Sequence, residues 1–277
     1  MDLTLLQKKD DFPLYVLNQL VQAPIDYQEK HLSITQSNSQ GANHLEAGVV
    51  VLLLYKNSEY IFQLIKRSDF VAQAGDISCP GGILEKSTDE MLSHIAQNTG
   101  IIRTVDGQLL NNYSKKDEQT MSLVSLFLMN ALREAWEEIG LSPLNIKFLG
   151  ALPSYSLTYF SRTIFPLVCL VPQTYDCHLS AEVEKILEIP VSFFLKSSSY
   201  AIIEIESSLG SSDPRYNMKF PGLAIPDGSG NVDILWGATF FIVTNFLKLI
   251  AGDSFPDLSP SRTLKKTLLP HYASGNR

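Results

Sequence analysis

Arg133-Glu134-Ala135-Trp136-Glu137-Glu138-Ile139-Gly140-Leu141 is the stretch on which the reading of this chain turns. Upstream of it apolar residues recur at helical spacing, at Met121, Val124, Leu128, Ala131, Leu132, Ala135 and Ile139. Gly140 is a natural stop, because a glycine just past the last turn adopts the left-handed conformation without steric penalty. At 100° per residue Glu134, Glu137 and Glu138 fall within about a 100° arc, with Ala135 and Ile139 on the apolar side. Like charges three and four residues apart repel, so the cluster calls for a counter-charge. A hard divalent cation, Mg²⁺ or Mn²⁺, supplies it most economically, since such ions take carboxylate oxygens. Arg133 is placed to hydrogen-bond one carboxylate and orient it. Taken alone, the same residues also read as a solvated acidic face, and the flanking sequence decides between the two.

Working outward, Ala47 to Tyr55 (AGVVVLLLY) is a β-branched-rich run with the signature of a buried strand. Asn57-Ser58 reads as a turn, and Tyr60 to Lys66 (YIFQLIK) as the partner strand of a hairpin. Ile77 to Pro80 leads into the pair Gly81-Gly82. A short helix is expected from Thr88-Asp89 to Asn98, and a hairpin over Ile101–Leu110 around Asp106-Gly107. Beyond Gly140 come strand-like runs at Phe148–Leu152 and Ile164–Val171, a helix-like Ala181–Leu187, and a long irregular stretch from Ser197 to Gly230. A helix over Ile234–Ile250 and a loosely held tail beyond Gly252 close the chain. Near the start, Pro13 and Pro24 bracket a short helix, and Gln36 to Gly41 reads as a linker. Strands and helices alternate without a βαβ rhythm, so the fold class is α/β with a mixed sheet flanked by helices.

Composition bounds the functional classes. The 277 residues carry 22 Lys+Arg against 29 Asp+Glu, a formal charge of -7, and 45% are hydrophobic. That excludes a disordered chain and argues against a nucleic-acid binder held by phosphate contacts, which needs a basic face. Cys79, Cys169 and Cys177 are an odd set at no ligand-like spacing, so reduced thiols and a cytoplasmic location are expected. No basic segment followed by an apolar stretch opens the sequence, and it ends in Ser-Gly-Asn-Arg, so neither a signal peptide nor a peroxisomal tripeptide is expected. Ile234 to Ala251 is mostly apolar, but Thr244, Asn245 and Lys248 share one face, which favours an amphipathic helix over a membrane span. None of the five histidines shows pair spacing, and Trp236 reads as core.

Arg-Glu-x-x-Glu-Glu-x-Gly-Leu downstream of Pro80-Gly81-Gly82 resembles the Nudix box, Gly-x5-Glu-x7-Arg-Glu-(apolar)-x-Glu-Glu-x-Gly-(apolar). The second half matches at every position. In the first half Thr88 stands where the family places Glu, with Asp89 one further, and about 40 residues separate Asp89 from Arg133 in place of seven. Lys66-Arg67-Ser68, Gly75 and Cys79-Pro80-Gly81-Gly82 resemble the signature preceding the box in coenzyme A diphosphatases, with Asp76 for the usual Gln and Cys79 for Phe. Leu170-Val171-Pro172, Glu182 to Pro190, and Asp233-Ile234-Leu235-Trp236-Gly237-Ala238-Thr239 resemble further stretches of that subgroup.

The resemblance implies a Nudix-type α/β/α sandwich with a mixed β-sheet and an insertion of about 40 residues within the box. It places an N-terminal extension at 1–45, a Nudix hydrolase domain at 46–252 with the insertion at about 90–130, and a tail at 253–277. It implies Mg²⁺- or Mn²⁺-dependent hydrolysis of a diphosphate bond in coenzyme A or its thioesters, with Arg133, Glu134, Glu137 and Glu138 as the catalytic set. Glu134, Glu137, Glu138 and a Gly81 carbonyl would hold metal. Glu182 is a candidate general base, although its position favours the reading as a carboxylate at a helix start, stabilised by the dipole. Arg67, Ser68 and Gly82, with Tyr155, Tyr159 and Arg162, are candidates to meet a nucleotide substrate. ADP-ribose or NADH is the alternative substrate class, and a non-catalytic ligand sensor the alternative function. Neither nucleic acid nor membrane is an expected partner. The insert's role, as lid or homodimer contact, is left open.

Overall fold

The apolar run beginning at Ala47 lies in a strand, β1 (Leu45–Lys56), that organises most of the residues around it. Val50, Val51, Leu52 and Leu53 are fully buried, which explains why the run is continuously apolar and not alternating: both faces are covered. On one side β1 is parallel to β7 (Arg162–Val171), in register from Leu45 opposite Arg162 to Leu54 opposite Val171. Its other side is shared. The second half pairs antiparallel with β2 (Glu59–Arg67), and the first half pairs antiparallel with β4 (Gly81–Ile83). Asn57 and Ser58 both have positive φ, the requirement of the two-residue turn that joins β1 to β2. The strand β5 (Lys147–Ala151) and the short β6 (Tyr155–Ser156) run antiparallel to β7. Parallel and antiparallel neighbours around one strand make the sheet mixed, as expected.

This computed structural model describes residues 3–108, 117–157, 160–207, 218–228, 230–258, 260, 262–268 and 272. Tyr159 and the far end of the expected 101–110 hairpin lie outside them. The chain folds into two compact units, one of Asp2–Gln63 with Cys79–His178, the other of Leu64–Ser78 with Leu179–Arg277.

The first unit contains β1, β4, β5, β6, β7 and β2 as far as Gln63, with four α-helices among the described residues. The segment 1–45 contributes α1 (Asp11–Gln22) and α2 (Tyr27–Ser39), so the expected linker from Gln36 is helical as far as Ser39. These helices are packed in. Phe12, Val16 and Tyr27 are fully buried, Tyr27 donates its hydroxyl to Pro166 O at 2.7 Å, and Asp26 accepts from the Ser154 amide at 2.7 Å. The helices α3 (Lys86–Thr99) and α4 (Glu118–Ile139) follow β4. Asp117 caps α4 by accepting from the Thr120 amide at 2.9 Å, and Gly140 ends it with φ 73°, the stop read from sequence. Its apolar stripe faces the sheet, and Phe127 stacks on Phe165 with ring centroids 3.8 Å apart. Of the expected 101–110 hairpin, the described part forms a turn at Gly107 and a bridge from Thr104 to Phe148.

The second unit corrects several sequence readings. Residues 181–187 are not helical: β8 (Val183–Pro190) is a strand, with Val183, Leu187 and Ile189 buried and Glu184 and Glu188 exposed. Over so short a segment Val183 and Leu187 satisfy both periodicities, and the β-branched content belongs to a strand. The stretch from Ser197 to Gly230 holds β9 (Tyr200–Ser207) and β10 (Lys219–Pro226), antiparallel to each other. The tail beyond Gly252 supplies β12 (Thr263–Leu268), parallel to β9. With β11 (Val232–Trp236) these make a four-stranded sheet ordered β11-β10-β9-β12. The expected helix from Ile234 begins at Gly237, as α6 (Gly237–Ala251). In the sheet Ala201, Ile203 and Ile205 of β9 and Leu268 of β12 form a buried cluster, with Trp236 partly buried against them. Among the described residues no helix is long and apolar enough to cross a membrane.

Burial pushes the Cys79 thiol up to about 12, with the Glu138 charge adding to the effect, and raises Cys169 as well, while Cys177 is exposed. Since the thiolate is the reactive form, a thiol reagent near pH 8 should label one cysteine per folded chain, Cys177, and all three after denaturation. Rapid labelling of two or three in the native protein would contradict this packing.

Candidate active site

The site is built where α4 crosses β4. Asn130, Glu134 and Glu138 stand four residues apart, one above the other on a single face of α4, and the three residues of β4 meet them in turn. Asn130 Nδ2 donates to Ile83 O at 3.1 Å. A Cβ on Gly82 would sit 2.4 Å from the Glu134 carboxyl carbon. The Gly81 amide donates to Glu138 Oε2 at 3.0 Å. Each glycine has its own reason: Gly82 leaves room for the Glu134 carboxylate, and Gly81, at φ +143°, brings the backbone so near β1 that a Cβ would lie 2.3 Å from Gly48 O.

Arg133 secures this face from the side. Its Nε donates to Asp89 Oδ1 at 2.8 Å and its Nη2 to Asp89 Oδ2 at 3.2 Å, a two-pronged pair with a fully buried carboxylate. Its Nη1 lies 2.9 Å from Glu134 Oε1 and 3.3 Å from Glu137 Oε1. Much of the counter-charge demanded by the crowded glutamates is therefore this one guanidinium, which bonds more partners than the single carboxylate expected. Burial works against the Arg133 charge, and the bond to Asp89 with the nearby Glu134 outweighs it, so the group is held above its ordinary range. Burial also lifts the Glu134 carboxyl above the usual carboxylate range, although Arg133 opposes the shift. Glu138 is buried and Glu137 is exposed.

Among the described residues no three His, Cys, Asp or Glu side chains already converge as a metal-ligand set. The donor chemistry nevertheless suits a hard cation: three carboxylates on consecutive turns of one helix, beside a backbone stripped of side chains by Gly81 and Gly82. The fit lies in donor type and position, not in a pre-assembled shell.

Arg133, Glu134, Glu137, Glu138, Gly81 and Gly82 are thus brought together. Tyr155 lies in β6 opposite Ile164, its hydroxyl raised by burial, and Arg162 opens β7 beside Leu45. Arg67, Ser68 and Glu182 belong to the other unit. There Arg67 Nε donates to Ala72 O at 2.9 Å, holding its own loop, and Ser68 is buried with its hydroxyl on Ala181 O at 2.7 Å. The Ser68 amide donates to Glu182 O at 2.9 Å, and Glu182, exposed, precedes a strand and not a helix. A helix dipole therefore gives no account of that carboxylate.

Two residues of the site escape motif counting. Six positions on from Gly82 is Thr88, yet Asp89 meets Arg133, because α3 opens with the Glu85 amide bonded to Asp89 Oδ2 at 2.8 Å. Asn130 has no place in the sequence reading, although a poor helix former on a buried apolar stripe signals a polar group with internal partners.

No family model matches the chain. It is 31% identical over 129 residues to an uncharacterized Nudix hydrolase NudL of Enterobacter sp. (strain 638), covering 46% of this chain and 58% of that protein. It is 31% identical over 113 residues to an uncharacterized Nudix hydrolase NudL of Citrobacter koseri, covering 40% and 56%. The chain spans little more than half the length of the curated relatives it matches. Among solved structures it has a TM-score of 0.38 with a MutT/nudix family protein from Enterococcus faecalis, at 11% identity, over 82% of this chain and 77% of that one. The sequence likeness is to Nudix hydrolases.

Removing Arg133 would leave Asp89 buried without its cation. Breaking such a pair from one side costs about 3–5 kcal/mol, and the Asn130 and Glu85 donors keep the loss near the lower end. Arg133→Ala should therefore lower stability by about 3 kcal/mol in urea unfolding. Arg133→Lys should recover only part, since an ammonium cannot bond Asp89 through two prongs. Equal stability of Arg133→Ala and wild type would exclude the pair as a structural element.

Proposed function

We propose that this chain is a divalent-metal-dependent Nudix-type hydrolase that cleaves the diphosphate bond of a nucleoside diphosphate derivative, and that its substrate is coenzyme A or an acyl-coenzyme A. The observation that supports this most is the meeting of Glu134, Glu137 and Glu138 with Gly81 and Gly82 on one helix face, locked by Arg133 to Asp89. The likeness to Nudix hydrolases supports the same class of chemistry. The narrower substrate rests on the sequence runs around Arg67-Ser68 and Trp236-Gly237, which resemble coenzyme A diphosphatases.

In this reaction a water oxygen bonds to one phosphorus, the bridging oxygen leaves with the other phosphate, and the water proton passes to a base. Mg²⁺ or Mn²⁺, when bound, neutralises the phosphate oxygens and lowers the pKa of water. Glu134, Glu137 and Glu138 would hold it together with the Gly81 backbone. Arg133 offsets the repulsion between Glu134 and Glu137, and the missing side chain at Gly82 gives the Glu134 carboxylate its place against β4. Glu182 is the proposed base on sequence spacing alone. Arg67 and Ser68, with Tyr155 and Arg162, are the proposed substrate contacts, of which Ser68 would act through its position under the loop, since its hydroxyl is already bonded.

Glu137→Gln and Glu138→Gln should each lower turnover by about 100-fold or more, with circular dichroism and Tm close to wild type. Unchanged turnover in both would remove the metal assignment. Coenzyme A, acyl-coenzyme A, ADP-ribose, NADH and dinucleoside polyphosphates, assayed with Mg²⁺ and with Mn²⁺, test the substrate. Faster cleavage of coenzyme A, yielding adenosine 3′,5′-bisphosphate, is expected, and equal or faster cleavage of ADP-ribose would overturn the narrower assignment. Glu182→Gln should flatten the pH–rate profile on its acidic side; an unaltered profile would place the base elsewhere.

A further inference from the structure

Asn130 is fully buried, and each of its bonds goes to a different element. Its Oδ1 accepts from the Gly48 amide of β1 at 2.6 Å. Its Nδ2 donates to Ile83 O of β4 at 3.1 Å and to Asp89 Oδ2 of α3 at 3.0 Å. One amide therefore ties three elements to a fourth, α4, one turn ahead of Glu134 and two turns ahead of Glu138. The close approach it serves is visible at Gly48, where a Cβ would meet Phe127 O at 2.5 Å and Asn130 Oδ1 at 2.7 Å. Neither an apolar residue nor a carboxylate serves in its place. The first would leave the Gly48 amide and the Ile83 carbonyl without this partner. The second would set a negative charge against Asp89 and offer Ile83 no donor.

We propose that Asn130 is a positioning residue for the metal-dependent hydrolysis. It fixes the register of β4 against α4, so that Gly82 falls under Glu134 and the Gly81 amide falls on Glu138. A shift of β4 by one residue would bring the side chain of Ile83 against the space that Gly82 leaves to the Glu134 carboxylate. This inference rests on the proposed function for its catalytic consequence, but the register itself is measurable without turnover.

The test uses the full chain and two variants, Asn130→Ala and Asn130→Asp. Amide hydrogen exchange over residues 81–83 reads the register. Both single variants should exchange there at least about tenfold faster than wild type, with Leu52–Leu54 and Leu167–Leu170 unchanged. Mn²⁺ affinity, measured by titration without substrate, should fall about 10- to 100-fold in the single variants, as for residues that orient a metal's ligands. The fall in turnover should appear in kcat with KM little altered. Wild-type exchange at 81–83 in both single variants would overturn the register assignment. Faster exchange with unchanged Mn²⁺ affinity would overturn the positioning role and leave Asn130 purely structural. Were the proposed function wrong, wild type itself would show neither turnover nor Mn²⁺ binding. That outcome would overturn the positioning role, while the exchange data would still decide the register.

Discussion

The ion pair between Arg133 and Asp89 is the interaction on which the site depends. A buried pair is poor evidence of stability by itself, because desolvation offsets most of the attraction. Its significance here is geometric. It joins positions 44 apart in the chain, binds α3 to α4, and does so with the residue directly preceding Glu134. The same guanidinium reaches Glu134 and Glu137. One positive charge thus faces Asp89, Glu134 and Glu137, with Glu138 nearby, and the local balance stays negative. That residue of negative charge, on a face edged by two glycines, gives a hard cation its place in the proposed reaction.

A second constraint is the closeness of backbones. Gly48 admits α4 against β1, Gly81 admits β4 against β1, and Gly82 admits Glu134 against β4. A β-carbon at any of the three would stand nearer than side chains pack, so the layers meet at the distance set by the main chain. The helix stripe Asn130–Glu134–Glu138 then matches Ile83–Gly82–Gly81. The carboxylates are positioned by strands in a sheet whose central member is buried on both faces, which is the rigid support a site of this kind needs.

What sequence discloses and what it hides follow from the range of the interactions. The strand at Ala47–Tyr55, its hairpin with Tyr60–Lys66, the helix to Ile139 and its stop at Gly140 are specified by periodicity and turn chemistry within a few residues, and the structure has them. The carboxylate face is legible for the same reason, since a helix converts spacing into direction. Elements of the second unit depend on partners far away. β12 lies parallel to β9 across roughly sixty residues, Pro221 and Gly222 make β10 look like a turn, and the charges of β8, at Glu184, Lys185 and Glu188, do not alternate. Asp89 and Asn130 were hidden differently: each matters through a contact that no local pattern encodes, and the motif's own arithmetic points to Thr88.

The length of chain between Asp89 and Arg133 looks at first like an obstacle to a Nudix-type site, since the corresponding motif residues are about eight positions apart. Loop-closure entropy says otherwise. It grows with the logarithm of length, about 0.6 kcal/mol per doubling, so separating the partners to 44 positions costs about 1.5 kcal/mol if the intervening chain were flexible. Much of it is helical. Most of α3 lies within that interval, and so does α4 from Glu118 to Leu132. The two helices are bonded at Ser93 and Ser125, both buried, at 2.9 Å. A single net hydrogen bond contributes about 1 kcal/mol, and Asp89 accepts two bonds from Arg133 and one from Asn130 across the two helices. The three outweigh the entropy of the longer connection. The two halves of the motif are therefore held together by contact, and their distance along the sequence is nearly irrelevant to the geometry of the site.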